Sequence, residues 1–230
     1  MVREFSINER FSLLNDMASM VVVGATPSLI VTGEGGLGKT HAIKQTIKDF
    51  GLSEGDYVFY KGYSTARGLY ETLYDNSDKL IVFDDCDSVL EDKTAVNILK
   101  SALDSYDERE ISWMSKAKGD AYPNKFKFEG RIIFISNKAK SSIDNAVLTR
   151  SLTVDLGMSP EDKIERMQAI LENVLPDYSD KVKQDALNFL DSVKDKVSIN
   201  MRMLIMVTKM VVNFPDRWES MATYMISNAA

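Results

Sequence analysis

Short, continuous apolar runs alternate with stretches of helical periodicity along most of this chain. Leu29-Ile30-Val31, Tyr57-Val58-Phe59-Tyr60, Leu80-Ile81-Val82-Phe83 and Arg131-Ile132-Ile133-Phe134-Ile135 are the apolar runs, with a shorter one from Ser151 to Leu156. Each run predicts a strand, and Leu80–Phe83 and Ile132–Ile135, continuous and apolar, predict strands buried on both faces. Between the runs the spacing changes to that of helices. Phe11, Leu14 and Met17 share a face within residues 5–20, and Ile43, Ile47 and Phe50 recur at helical spacing after Lys39. Residues 66–75 read as a helix, and so do residues 94–105 through Val96, Leu99 and Leu103. Strands alternating with helices predict an α/β fold, a parallel sheet sandwiched by helices.

After Gly157 the pattern becomes helical throughout. Ser159-Pro160-Glu161-Asp162 supplies a capping serine, a first-turn proline and acids at a helix N-terminus. Ile164, Met167, Ile170, Leu171 and Val174 then form an apolar stripe, and residues 178–194, 199–213 and 216–228 continue as helices. The expected organisation is an N-terminal helical segment over 1–27, an α/β core over 28–157 and a small all-helical domain over 158–230. There is no internal repeat and no low-complexity tract.

The strongest chemical signal lies between the first apolar run and the helix after it. Gly33-Glu34-Gly35-Gly36-Leu37-Gly38-Lys39-Thr40 matches the G-x-x-x-x-G-K-[ST] phosphate-binding pattern in full. Its placement carries the argument. A strand delivers glycines to the N-terminus of a helix, where backbone N–H groups and the positive end of the helix dipole face phosphates. Lys39 is then expected to neutralise the β- and γ-phosphates of a nucleoside triphosphate, and the Thr40 hydroxyl to bind Mg²⁺. His41 extends this nucleotide-binding run. As the chain's only histidine, it suits packing or solvent better than catalysis.

Two later strands end in groups that a phosphate loop needs. Phe83-Asp84-Asp85 closes a buried strand. A carboxylate there can hold Mg²⁺, and the next can orient or deprotonate an attacking water, so Asp84 is assigned to the metal and Asp85 to the water. Asp87 fits a helix cap or loop better. The strand Ile132–Ile135 ends in Ser136-Asn137, and an amide at that place can bond both the γ-phosphate and the attacking water. Arg150 follows a short helical stretch, Asp144 to Thr149. Arg202 is the only charge in Ile199–Val207, so it must reach an anion or snorkel to solvent.

Composition narrows the field. The chain has 230 residues, 44% hydrophobic and 27% charged, as in ordinary soluble globular proteins. No apolar run approaches the roughly 20 residues that span a bilayer, and the first residues lack a signal peptide's layout, so a cytoplasmic, non-membrane protein is expected. Cys86 is the single cysteine, which excludes a disulfide framework and fits a reducing compartment. The formal charge is −6, so any nucleic-acid contact must be local.

In order and spacing, this set of motifs resembles the AAA+ ATPase family over nearly the whole chain. The resemblance implies a ring or arc of identical subunits with ATP at their interfaces. It implies further that Asn137 is a first sensor, that Arg150 is a finger reaching a neighbour's γ-phosphate, and that Arg202 is a second sensor on a helical lid. It places adenine beside the residues around Val21 to Gly24. One departure stands out: the family's usual Asp-Glu pair is Asp84-Asp85 here, one methylene shorter at the catalytic position, which leaves hydrolysis less certain than binding.

Two segments are candidates for contact with a client, either nucleic acid or a replication protein. Tyr60-Lys61-Gly62-Tyr63 is similar to pore loops that grip polypeptide, and equally to a common strand-to-helix turn. Residues 106–130 are longer than an ordinary connection. Ile111–Met114 and Lys125–Phe128 could pair as a hairpin around Gly119 and Pro123. There Lys116, Lys118, Lys125 and Lys127 interleave with Trp113, Tyr122, Phe126 and Phe128, which suits a nucleic-acid strand or a hairpin with one face on the core. The compact size resembles helicase-loader and clamp-loader ATPases. A protein remodeller and a weakly hydrolysing assembly switch are the alternatives.

Overall fold

The computed structural model describes residues 4–104, 108–114 and 121–228, which form two compact units. One, the sheet unit, comprises Phe11–Gly33 and Lys39–Gly157; the other, the helical unit, comprises the residues up to Arg10, the loop segment Glu34–Gly38, and Met158 onward.

The sheet unit is built on five parallel strands: β1 (Ser28–Thr32), β2 (Tyr57–Lys61), β3 (Leu80–Asp84), β6 (Arg131–Ile135) and β7 (Leu152–Asp155). Their spatial order is β2-β3-β6-β1-β7. Every residue of β1 and β3 is buried, whereas the edge strands β2 and β7 are only partly covered. The apolar runs of β1, β3 and β6 thus lie in strands with a neighbour on both sides, whereas the run Tyr57–Tyr60 forms the edge strand β2. One face carries Ile30, Ile81, Phe83, Ile132 and Phe134 into a core with Leu69, Tyr70 and Leu73 of α3 (Ala66–Asp75) and Val96 and Leu99 of α5 (Lys93–Ala102). Phe83 stacks on Phe134 with ring centroids 5.1 Å apart. The alternate residues Leu29, Val31, Val82, Ile133 and Ile135 are equally buried, as period-two geometry requires of a sheet covered on both sides.

Helix starts follow local chemistry. Thr65 caps α3 by accepting from Gly68 N, and Asp92 caps α5 by accepting from Thr94 N and Ala95 N. α1 (Ile7–Val22) ends at Gly24, which adopts φ 81°. α2 (Lys39–Asp49) buries Ile43 and Ile47. Phe50 corrects the expectation of a three-residue stripe: it lies past the end of the helix and is 48% exposed. A four-residue helix, α4 (Ser88–Glu91), follows β3, and another, α6 (Asn145–Leu148), precedes Arg150.

The long connection before β6 contains a two-stranded antiparallel hairpin, β4 (Glu110–Ser112) and β5 (Lys125–Lys127), with Ile111 opposite Phe126. Lys116, Lys118 and Gly119 of that connection lie outside the described residues.

The helical unit packs α7 (Pro160–Ile170), α8 (Asp180–Val193), α9 (Met201–Asn213) and α10 (Trp218–Ser227) around Met167, Leu187, Leu190, Leu204, Val207 and Ala222. Its first helix begins with a full capping box. Ser159 Oγ accepts from Asp162 N and Asp162 Oδ2 accepts from Ser159 N. Arg10 Nη2 reaches the same Asp162 carboxylate at 2.8 Å.

Candidate functional site

Parallel register brings the carboxyl ends of β1, β3 and β6 level with one another. Ile135 pairs with Asp84 on one side and with Val31 on the other. The residues that leave these strands (Gly33, Asp85, Ser136 and Asn137) therefore emerge along one edge of the sheet.

Side chains on that edge form a connected set. Lys39, at the start of α2, is 4% exposed; its Nζ donates to Gly33 O at 2.6 Å and to Asn137 Oδ1 at 3.0 Å. Asn137 Nδ2 donates in turn to Asp85 Oδ1 at 2.6 Å. Because an ammonium can only donate and a carboxylate only accept, these two bonds fix the orientation of the amide. The Thr40 hydroxyl donates to Asp84 Oδ1 at 2.9 Å. Asp84 is 1% exposed; its Oδ2 lies 2.7 Å from Lys61 Nζ but takes no directed hydrogen bond.

Asp85 has φ 58°, in the left-handed region, and its N–H donates to Ile135 O. Asp and Asn are among the few non-glycine residues that tolerate this conformation, because the short polar side chain bonds locally. The backbone thus gives a physical reason for aspartate rather than glutamate at this position. Asp87 serves as a support, its carboxylate accepting from Ser136 Oγ at 2.5 Å beside Asn137.

The phosphate-loop glycines have distinct reasons to be glycine. Gly33 lies at φ 136°, and a Cβ on it would come within 3.0 Å of the Leu156 carbonyl carbon and oxygen. Gly36 and Gly38 also have positive φ, 77° and 92°. Within the helical unit, Gly36 O accepts from Met201 N at 3.0 Å, and Glu34 Oε2 meets Lys163 Nζ at 2.6 Å. Gly35 is exposed and Leu37 buried. Arg202 stands exposed on the first turn of α9, next to Met201. His41 is exposed on α2.

Arg150 does not join the Lys39–Asn137–Asp85 set. It is half-buried and folds back, with Nη1 donating to Ala146 O at 2.9 Å and Nε buried without a partner. Lys61 and Lys163 were not anticipated as partners of the loop or of Asp84. The β2–β3 register, which sets Lys61 opposite Asp84, is what reveals the first, and sequence alone gives no sign of it.

The candidate client segments are changed by their surroundings. Tyr60 is anchored, its hydroxyl accepting from Asn76 Nδ2 at 3.1 Å and its ring stacked on Phe83. Tyr63 is the free aromatic of that turn, at 83% exposure. In the hairpin, Phe126 packs edge-on against Tyr70 and Tyr74, Trp113 tilts against Tyr70, Tyr122 meets Tyr74, and Phe128 is 1% exposed. Lys125 pairs with Glu110, and Lys127 with Glu108 and Glu129. Phe128 is buried while Trp113, Tyr122 and Phe126 are half-buried against the core, so the described part of the hairpin has one face on the core, with its lysines paired to exposed glutamates. Cys86, 4% exposed, donates toward Tyr60 O, and burial pushes its thiol up to about 11.

No protein-family model matches the chain. An uncharacterized 36.7 kDa protein of the nrdC-mobD intergenic region of enterobacteria phage T4 is 26% identical over 243 residues, spanning 94% of this chain and 73% of that protein. Among solved structures, an arginine-to-alanine variant of Thermotoga maritima RuvB superposes with a TM-score of 0.54 at 14% identity. The fold is that of a P-loop NTPase. The match covers 90% of this chain but 61% of the RuvB chain, so this chain spans under two thirds of that neighbour's length. Among the described residues, no helix is long and apolar enough to cross a membrane.

The donor set fits Mg²⁺ with a nucleotide. A hydroxyl and a buried carboxylate present hard oxygens side by side, and the second carboxylate oxygen already sits against a positive charge. Among the described residues no group of three or more His, Cys, Asp or Glu could hold a metal alone.

Proposed function

We propose that this protein is an AAA+-type ATPase that binds ATP with Mg²⁺ and couples its hydrolysis to loading or remodelling a DNA or replication-type assembly. The observation that carries the nucleotide chemistry is the Lys39–Asn137–Asp85 chain of hydrogen bonds beside the Thr40–Asp84 pair. Lys39 would set its ammonium against the β- and γ-phosphates, while loop amides at the start of α2 face the phosphate oxygens. Thr40 and Asp84 would hold Mg²⁺, which when bound neutralises charge on those oxygens. Asp85 would accept a proton from the attacking water as its oxygen bonds to the γ-phosphorus and ADP leaves. Asn137 would orient that water, because its amide already touches both Lys39 and Asp85.

Arg150 would act across a subunit interface of a homo-oligomeric ring or arc. Its retracted guanidinium has to leave Ala146 O to do so. Arg202, carried on the helix that starts at the loop, would be the second nucleotide-sensing cation. The client follows from resemblance to compact loader-type ATPases. The anchoring of Tyr60 argues against the polypeptide-gripping alternative. An assembly switch with weak turnover is the second reading, favoured by Asp85 and by the Lys61 ammonium on Asp84.

The test is ATP binding and turnover by the protein and by Lys39→Ala, with single-stranded DNA, duplex DNA or unfolded protein added in turn. Particle size would be measured with and without a non-hydrolysable ATP analogue. Stimulation by DNA, growth in size with the analogue and loss of binding in Lys39→Ala are the expected results. Absence of nucleotide binding by the unaltered protein would overturn the reading.

A further inference from the structure

The second position of the phosphate-loop motif is unrestricted, so phosphate chemistry does not ask for a carboxylate at Glu34. A glutamate one residue into an anion-binding loop would repel a triphosphate unless it were neutralised. The helical unit supplies the neutralising charge. Lys163, in the first half of α7, sets Nζ 2.6 Å from Glu34 Oε2, and its side chain is 6% exposed against 57% for Glu34. The same ammonium donates to Ser198 Oγ at 3.2 Å, two residues before the Asn200 cap of α9. A lysine head group buried to this degree needs such hydrogen-bond partners to offset its lost hydration.

A second tie lies close by and needs neither side chain. Met201 N donates to Gly36 O at 3.0 Å, and a Cβ on Gly36 would come 3.4 Å from Asn200. The loop is thus held to the helices through its backbone at Gly36 and through charge at Glu34. Only the Glu34–Lys163 tie controls the sign of the potential that an incoming phosphate meets.

We propose that Lys163 is a positioning residue of the nucleotide site, one that neutralises and fixes Glu34 so that the loop accepts an anionic nucleotide. The inference rests on the nucleotide-binding reading of the loop. It makes an unusual prediction for a pair of substitutions. Lys163→Met takes the ammonium away from the Glu34 carboxylate and weakens ATP binding roughly tenfold, with the deficit shrinking as salt is raised. Glu34→Ala removes that carboxylate, so that a further Lys163→Met has no negative charge left to unmask. The double variant Glu34→Ala/Lys163→Met regains most of the affinity lost in Lys163→Met, and Lys163→Arg keeps it.

The cycle is measured by titrating a fluorescent ATP analogue into folded protein at two salt concentrations. Unchanged affinity in folded Lys163→Met, or a double variant no better than Lys163→Met, overturns the proposal. A structural contact without electrostatic bearing on the site would lower the melting temperature and leave these affinities alone. Amide hydrogen exchange of the nucleotide-free protein provides a second measurement, one that holds even where Lys163→Met does not fold. Glu34→Ala should speed exchange across Glu34–Gly38 while leaving α8 protected, and unchanged exchange there also overturns the proposal. Failure of the unaltered protein to bind the analogue would strike the nucleotide reading, whereas exchange judges the Lys163–Glu34 tie independently.

Discussion

Asp85→Asn should separate catalysis from everything else that Asp85 does. The residue sits at φ 58°, a conformation that costs an ordinary L-residue about 1–2 kcal/mol but that Asn accepts as readily as Asp. Asn137 Nδ2, 2.6 Å from Asp85 Oδ1, keeps an acceptor, because the new amide still presents a carbonyl oxygen. What is lost is the charge on one hydrogen bond of an exposed side chain, worth about 1 kcal/mol or less. Stability and ATP affinity should therefore barely move. The amide cannot take a proton from water, and a positioned general base contributes about 10²–10⁴-fold to rate, so turnover should fall by that factor. Asp85→Glu tests the backbone argument from the other side. It installs the acid usual in the ATPases that the motifs resemble but forces glutamate into the left-handed region, at about 1 kcal/mol, or a melting temperature lower by roughly 2–4 °C for a protein of this size. Single-turnover hydrolysis, ATP titration and thermal unfolding of the three proteins are the assays. Wild-type turnover in Asp85→Asn would refute the role of Asp85 as base. A glutamate variant melting with the parent would refute the account of why aspartate stands there.

Other consequences are open to simpler tests. Arg150→Ala should leave ATP affinity intact at low protein concentration, yet lower turnover by at least about 10³-fold under conditions where the subunits assemble; equal turnover would remove the finger role. The Cys86 thiol, raised from 9.0 to about 11 by burial, should resist iodoacetamide at pH 8 until the chain is unfolded. Its contribution to stability is complete below pH 9 and is lost as pH rises toward 11, because only the unfolded chain releases the proton in that window. Urea unfolding at pH 8 and pH 10 measures the difference, which Cys86→Ala should reduce. Phe126→Ala should cost about 2–4 kcal/mol, since the ring meets both Tyr70 and Tyr74, without changing ATP affinity; a stability unchanged in the melt would show that the hairpin does not pack as described.

Most of the architecture could be read from the chain because its strongest signals are local. The apolar runs at Leu29, Leu80 and Ile132 coincide with strands buried on both sides, and Ser159-Pro160 with the capping box of α7. The periodicity at Phe50 misled because a residue just past a helix end can keep the spacing while the backbone turns away. The lysine–aromatic interleaving at 125–128 carried two meanings, and which one holds depends on partners distant in sequence: Glu108, Glu110 and Glu129 for the charges, Tyr70 and Tyr74 for the rings. Lys61 and Lys163 were invisible for the same reason. Each is an unremarkable lysine until strand register or helix docking sets it against a carboxylate.

Strand order explains why Asn137 rather than a nearer residue links Lys39 and Asp85. β6 lies between β1 and β3, and neighbouring strands are about 4.8 Å apart, so the ends of β1 and β3 are separated by about 10 Å. No single side chain from β1 spans that gap to Asp85. An amide at the end of the intervening strand does, because Oδ1 and Nδ2 point to opposite sides and so meet the donor Lys39 and the acceptor Asp85 together. An aspartate at 137 would set two carboxylates against each other, and a serine is too short and carries one oxygen for both bonds. Moving Lys39 toward a phosphate must therefore alter the hydrogen bonding of Asn137 and, through it, the environment of Asp85. Substituting Asn137 should uncouple the two, leaving ATP affinity largely in place while turnover drops. Parallel loss of affinity and turnover in Asn137→Ser would show instead that the amide serves to hold Lys39.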